Sequence, residues 1–283
     1  MKIIRTFATS ANLGPGFDSF GICFNLYNEY SFEVSNEYEI FEFSEKYSNP
    51  FNNLIIKSYE EVFNYLNKEI IPIKLKQLVQ NIPSSRGLGS SASCIVSGVM
   101  IANDILGNVL STDEVFQIAS KIEGHPDNVA PLIYGGLTCS FKNDKYYTVK
   151  CNVSECFKFT VCIPSFELKT SVARSVLPKS ISMSDAVSNI SHSVALIKAL
   201  EYGDMELLKA ANVDKLHQDY RFPLINGSDY FIKFAKQSNA ACMISGAGPT
   251  ILLISKESLN INFDDWLVLE QSVNYKGAYI YEK

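Results

Sequence analysis

Short runs rich in β-branched and aromatic residues at Lys2–Phe7, Ile22–Val34, Glu39–Phe43 and Ile73–Val79 predict strands. Between them, Ile55, Tyr59, Val62, Phe63 and Leu66 recur at helical spacing, which predicts a helix over Leu54–Leu66. A second helix is expected to begin just after Gly89 and to stop at Gly107, a residue suited to the left-handed conformation that ends helices. A third is marked by Ser111 with Glu114 three positions on, a pair able to satisfy two orphan N–H groups reciprocally; it stops at Gly124. Strands are predicted again at Gly136–Phe141 and Phe157–Ile163. Beyond Pro164 the pattern mixes helices at Asp185–Glu201, Met205–Ala211 and Asp229–Ser238 with strands at Cys242–Ser245, Ile251–Ser255, Trp266–Glu270 and Ala278–Tyr281. Elements that mix without strict alternation predict an α+β protein in two parts, 1–155 and 156–283.

Composition narrows the possibilities. A chain of 283 residues holds one large or two moderate domains, and 47% hydrophobic with 19% charged residues suits a globular core. No uncharged apolar run reaches about 18 residues, so no membrane partner is expected. The N-terminal apolar stretch is too short and too soon broken to read as a secretory signal. A net charge of −5 repels a phosphate backbone, which argues against nucleic acid as a partner. Seven cysteines, an odd number without a CxxC pair, read as reduced thiols of a cytoplasmic protein; Cys94, Cys162 and Cys242 sit in apolar runs, and no spacing supports zinc.

The strongest local signal is Ile82-Pro83-Ser84-Ser85-Arg86-Gly87-Leu88-Gly89-Ser90-Ser91-Ala92-Ser93, set between a predicted strand and a predicted helix. Its glycines allow a tight turn and close approach of backbone to a ligand. The helix start that follows presents unpaired N–H groups and the positive end of a dipole, a ready site for phosphate. Ser90 and Ser91 can add hydroxyls toward phosphate oxygens or a metal. No Gly-Lys-Ser/Thr follows, the third glycine of a dinucleotide fingerprint is missing, and Gly-x-Ser-x-Gly is absent here. The plain alternative is a glycine turn with serine helix caps.

This loop resembles the central phosphate-binding motif of the galactokinase–homoserine kinase–mevalonate kinase–phosphomevalonate kinase (GHMP) superfamily. Ser10-Ala11-Asn12-Leu13-Gly14-Pro15-Gly16-Phe17-Asp18 resembles that superfamily's first motif, and Ser245-Gly246-Ala247-Gly248-Pro249-Thr250 its third. Within the superfamily, Gly124-His125-Pro126-Asp127-Asn128-Val129-Ala130-Pro131 is similar to the His-x-Asp-Asn-Val-Ala-Pro stretch of homoserine kinases, as are Thr170 with Arg174 and His217-Gln218-Asp219-Tyr220-Arg221. The resemblance implies a two-domain GHMP kinase fold. Its N-terminal domain would carry a left-handed βαβ unit (ribosomal protein S5 domain 2-like), and its C-terminal domain would be ferredoxin-like. It also implies ATP-dependent phosphorylation of the L-homoserine hydroxyl in threonine synthesis, and it allows a homodimer.

By the same resemblance, ATP is expected at Asn53 and along Pro83, Ser84, Ser85, Arg86, Gly87, Leu88, Gly89, Ser90, Ser91, Ala92 and Ser93. Arg174 and Arg221 suit the substrate carboxylate, since guanidinium forks make paired charge-assisted bonds. Asp18 suits its ammonium. Asn12 and Asn128 would hold the hydroxyl, with His125, Thr170 and Gly246 shaping the pocket; His192 and His217 read as structural. Magnesium, which takes oxygen ligands, would use Ser91 or Ser90 and Glu123. Many relatives carry that glutamate several residues further upstream of the histidine, where this chain has Gln117. Asn12 and Asp18 can also be ordinary turn residues, and Asn53 a helix cap. Asn128 stands where related enzymes place an aspartate, and an amide cannot accept a proton at neutral pH, so direct in-line transfer without a dedicated base is expected. Two rivals stay open here: a superfamily kinase acting on shikimate or a mevalonate derivative, and a catalytically inactive relative that binds nucleotide.

Overall fold

The structure is a computed structural model describing residues 1–283. The chain runs β1 (Lys2–Ala11), β2 (Phe20–Val34), β3 (Glu39–Phe41), α1 (Glu45–Ser48), a 3₁₀ turn (Pro50–Asn52), α2 (Leu54–Tyr65), β4 (Ile73–Gln80), α3 (Ser90–Ile105), α4 (Thr112–Glu123), α5 (Val129–Tyr134), β5 (Leu137–Lys142) and β6 (Tyr146–Cys151). It continues through β7 (Lys158–Pro164), α6 (Thr170–Ser175), α7 (Met183–Tyr202), α8 (Met205–Ala211), α9 (Gln218–Arg221), a second 3₁₀ turn (Phe222–Leu224), α10 (Ser228–Gln237), β8 (Ala241–Ile244), β9 (Ile251–Ser255), β10 (Trp266–Gln271) and β11 (Tyr279–Glu282).

Two sheets organise these elements. The first runs β11-β1-β2-β4-β3, with β5 added beside β2 and β6 beside β5. Its β3 and β4 are parallel and joined through α2, a βαβ unit, while β1 and β2 pair antiparallel from Lys2↔Phe32 to Ala11↔Gly21. The second is antiparallel in the order β10-β7-β9-β8. Numbered within their own half these strands read 4-1-3-2, the ferredoxin-like order.

Amphipathic helices cover the first sheet because their apolar stripes have nowhere else to go. Ile55, Tyr59, Val62 and Phe63 of α2, Val96 and Val99 of α3, and Phe116 of α4 share one core with Phe7, Phe32 and Leu75 of the strands. Ser111 and Glu114 form the capping box foreseen for α4. A second core joins the halves: Phe20, Ile22 and Phe24 of β2 meet Phe159 and Val161 of β7, Leu196 and Leu200 of α7, and Leu252 and Ile254 of β9. Phe24 and Phe159 touch at 5.6 Å between ring centres across this junction. Emptying either position would cost about 3–5 kcal/mol. A third core packs α10 and the aromatic cluster of Phe231, Phe263 and Trp266 on the outer face of the second sheet.

The last strand departs from the division at 155. β11 pairs with β1 from Lys2↔Glu282 to Arg5↔Tyr279, so the C-terminal end of the chain returns to the first sheet. Periodicity predicts a strand there but carries no information on its partner. No helix is long and apolar enough to cross a membrane. All seven cysteines are unpaired; Cys162 is buried as its apolar run suggested, whereas Cys94 and Cys242 keep partial exposure.

Candidate active site

The three glycine-rich segments, far apart in sequence, interlock at the junction of the halves. Gly246 N–H donates to the Ala11 carbonyl, Ser245 Oγ to the Gly87 carbonyl at 2.7 Å, and Thr250 N–H to the Arg86 carbonyl. Around them lies a cleft of about 490 Å³. Its lining includes Asn12, Asn53, Ser84, Ser85, Arg86, Gly87, Gly89, Ser90, Ser91, Glu123, His125, Asn128, Thr170, Arg174, Arg221 and Gly246, so most residues proposed from the sequence converge there.

Gly89 takes a left-handed φ of +68° at the start of α3 and supplies no capping side chain. The first N–H groups of this 16-residue helix therefore stay open toward the cleft, where an anion would satisfy them. A Cβ at Gly89 would lie 2.0 Å from Thr9 Oγ1. That hydroxyl donates to Asn128 Oδ1 at 2.8 Å, and Asn128 Nδ2 donates one N–H to Asp127 Oδ1 at 3.5 Å, which locks the amide and leaves its second N–H available.

Several loop residues serve the fold. Leu88, Ala92 and Ser93 are buried away from the cleft, and Ser93 Oγ pairs with Thr6 Oγ1 at 2.7 Å; Pro83 does not line the cleft either. Arg86, expected among the phosphate contacts, spends its guanidinium on the carbonyls of Pro164, Ser84 and Ser165 and on Glu167. It anchors the loop to the end of β7. Asn53 caps α2, its Oδ1 accepting from Ile55 N–H at 3.0 Å while Nδ2 donates to the Tyr47 carbonyl.

Ser91 Oγ donates to Glu123 Oε2 at 2.8 Å, bringing the two proposed metal-binding residues together at the phosphate end. Burial pushes the Glu123 carboxyl above its ordinary pKa, opposed by the Ser91 hydrogen bond. Gln117, the upstream position weighed against Glu123, is committed elsewhere: its Nε2 donates to the Tyr146 carbonyl at 2.8 Å and its Oε1 accepts from Tyr146 N–H at 2.9 Å. Two adjacent oxygen donors fit magnesium's preference.

On the opposite wall, Arg174 and Asp18 form a two-bonded ion pair, Nη2 to Oδ1 at 2.8 Å and Nη1 to Oδ2 at 3.2 Å. Asp18 itself reaches the cleft only through this pair. Asn12 Oδ1 accepts from Asp18 N–H at 2.8 Å, closing the loop between them. Arg221 is 1% exposed; Nε donates to the Ala173 carbonyl, and Nη1 lies 3.3 Å from both the Gly246 carbonyl and His217 Nδ1. Its Nη2 has no bond within the chain. Burial, reinforced by Arg174, lowers its pKa to about 10, so it remains a cation at neutral pH.

Asp127 lines the cleft at 1% exposure and was not singled out from the sequence, although it stands between Pro126 and Asn128 in the quoted stretch. Its Oδ1 lies 3.1 Å from His125 Nδ1, and that contact raises the His125 pKa against the opposing effect of burial. The far end of the cleft, with Tyr30, Phe43, Tyr47 and Leu54, was also missed; Tyr30 and Phe43 stack at 5.8 Å. Tyr30 comes from β2, Tyr47 from α1, Leu54 from α2 and Phe43 from the loop before α1, and no local motif joins them.

Residues 53–136 match the family model for the GHMP kinases N terminal domain. The chain is 40% identical to the homoserine kinase of Clostridium beijerinckii, an alignment covering 100% of this chain and 99% of that one. It is 44% identical to the homoserine kinase of Clostridium botulinum strain Kyoto, over 91% and 87% of the two chains. Among solved structures, the homoserine kinase of Cytophaga hutchinsonii superposes with a TM-score of 0.87 at 28% identity, covering 99% of this chain and 96% of that one.

Proposed function

This chain belongs to the homoserine kinases of the GHMP superfamily, and we propose that it moves the γ-phosphoryl group of ATP directly, in line and without a dedicated base, to the L-homoserine hydroxyl. The products are ADP and O-phospho-L-homoserine, an intermediate of threonine synthesis. The observation that carries the site assignment is the pairing of two walls. One presents the open N–H groups of α3; the other presents Arg221 and Arg174, with Asp18 paired to Arg174 at its edge, a charge set complementary to an amino-acid zwitterion.

ATP phosphates lie against the α3 start and Ser90. The base is received at the Tyr30–Phe43 end, where a flat ring finds aromatic faces. The substrate carboxylate engages Arg221 Nη2 and those Arg174 N–H groups not given to Asp18, and its ammonium engages Asp18. Asn12 Nδ2 and the remaining N–H of Asn128 flank the hydroxyl; one of them donates to its oxygen, so that a lone pair stays available for the γ-phosphorus. Neither amide accepts the hydroxyl proton, which passes to an oxygen of the transferred phosphoryl group as the new O–P bond forms and the bond from phosphorus to ADP breaks. Phosphoryl transfer has a loose transition state, so positioning and charge stabilisation supply the catalysis. Magnesium bound at Ser91 and Glu123 would contribute positive charge beside the phosphate oxygens. Thr170 and Gly246 close the pocket around the substrate backbone.

The nucleotide wall comes from residues before 155 and both arginines from residues after it, which supports 1–155 and 156–283 as the two working units. Seven unpaired thiols support a reducing, cytoplasmic setting. An ADP-release assay tests the proposal: L-homoserine should stimulate turnover far more than mevalonate, shikimate or galactose. Equal stimulation by mevalonate would overturn it.

A further inference from the structure

His217 makes no contact with substrate in the scheme above, yet it joins the two segments that hold the substrate's charged groups. Its imidazole is 0% exposed, with Nδ1 3.3 Å from Arg221 Nη1 and Nε2 2.9 Å from the Gly14 carbonyl. A guanidinium can only donate. Nδ1 therefore accepts, and the ring proton sits on Nε2, donating into the first glycine-rich loop.

The ring is held on every side. Phe17 stacks on it with centres 5.3 Å apart. The backbone N–H groups of His217 and Gln218 donate to Asp214 Oδ2 at 2.8 and 2.6 Å, and Gln218 Oε1 accepts from Ile244 N–H in β8. Both arginines also approach Phe17, their guanidinium carbons lying 5.2 Å (Arg221) and 5.7 Å (Arg174) from its ring centre. Two like charges that close repel. An aromatic face shared between them and a neutral acceptor on one of them offset that repulsion. Burial holds the imidazole below its ordinary pKa, in keeping with an acceptor beside a cation.

We propose that His217, stacked on Phe17, is a positioning residue that sets the place of Arg221 relative to Arg174, and so selects alcohols that carry an α-carboxylate. It rests on the assignment of those two arginines to the carboxylate. His217 acts through Arg221 and touches no reacting atom.

The experiment is a steady-state comparison of His217→Leu, His217→Gln, Phe17→Leu, Arg221→Ala and the double variant His217→Leu/Arg221→Ala, with homoserine and ATP varied in turn. Glutamine offers an oxygen to Arg221 and an N–H to Gly14; leucine offers neither. The expected result is a rise of about 10-fold in homoserine KM for His217→Leu, the size of one lost bond to a charged group. ATP KM should stay unchanged, most of the loss should be recovered in His217→Gln, and the double variant should be no worse than Arg221→Ala alone. Should His217→Leu fail to fold, Phe17→Leu carries the test with the same expected rise. A normal homoserine KM in these variants, while Arg221→Ala raises it, sinks this inference alone. So does a loss in which ATP KM rises equally and glutamine restores nothing. A normal KM in Arg221→Ala sinks the carboxylate assignment on which it rests.

Discussion

Arg174 and Asp18, 156 residues apart in sequence, meet in a two-bonded ion pair at the mouth of the cleft. Both side chains remain about one-third exposed, at 37% and 35%. An ion pair so placed contributes at most about 1 kcal/mol to stability. Under the proposed function its role is to offer both charges to a ligand that carries the opposite two.

Replacing either arginine should therefore weaken homoserine use and spare ATP. A charge-assisted bond contributes roughly 1.5–3 kcal/mol, or about 10- to 150-fold in affinity. Arg221→Ala should lie toward the upper end because the side chain is buried, and Arg174→Ala toward the lower end because water screens it. Homoserine and ATP KM values, measured separately, check this; wild-type homoserine KM in both variants would remove the arginines from the carboxylate site.

Gly89→Val should abolish nucleotide binding. The new Cβ meets Thr9 Oγ1 at 2.0 Å, and a β-branched residue resists φ of +68°. Displacing Thr9 also frees the Asn128 amide that it locks. Calorimetry on the folded variant is the check, and retained ATP affinity would dispose of the phosphate-loop assignment.

Glu123→Gln keeps the size of the side chain but removes its charge. The magnesium concentration giving half-maximal activity should rise at least several-fold, with homoserine KM little changed, since Glu123 pairs with Ser91 on the nucleotide side. An unaltered magnesium dependence would place the metal elsewhere.

The His125–Asp127 contact predicts a titration. Asp127 raises the His125 pKa above its ordinary value near 6.5. The stability that this pairing contributes is full below that ordinary value and is lost as pH rises through the raised one. In Asp127→Asn the histidine should titrate lower, and the stability gap from wild type should narrow as pH rises. Histidine NMR titration and denaturant melts at two pH values measure both; an unshifted His125 would show that the contact does not hold in solution.

Much of this was legible in the sequence because the signals are local. Strand alternation, the Ser111–Glu114 box and the glycine turns each fix their own few residues. What stayed hidden depends on distant contacts. α5 contains Pro131, and α6 and α9 are too short to be helical by propensity; tertiary packing holds all three. β6 is an edge strand with an irregular burial pattern. The pairing of β11 with β1 spans the whole chain. In the site, Arg86 read as a phosphate ligand because it stands inside the quoted loop, and only the folded chain shows its guanidinium occupied by carbonyls. Asp127 was visible as a letter but not as a buried acid.

The central claim is transfer without a dedicated base, and Asp18 is the carboxylate on which it turns. Measuring kcat against pH at saturating homoserine for wild type and Asp18→Asn tests it most directly. If Asp18 only binds the ammonium and steadies Arg174, the variant raises homoserine KM. Its kcat then falls modestly beside the 10²–10⁴-fold typical of a lost general base, and the shape of the profile is kept. A kcat collapse beyond about 10³-fold with KM unchanged, together with loss of an acidic limb, would make Asp18 the base and contradict the account.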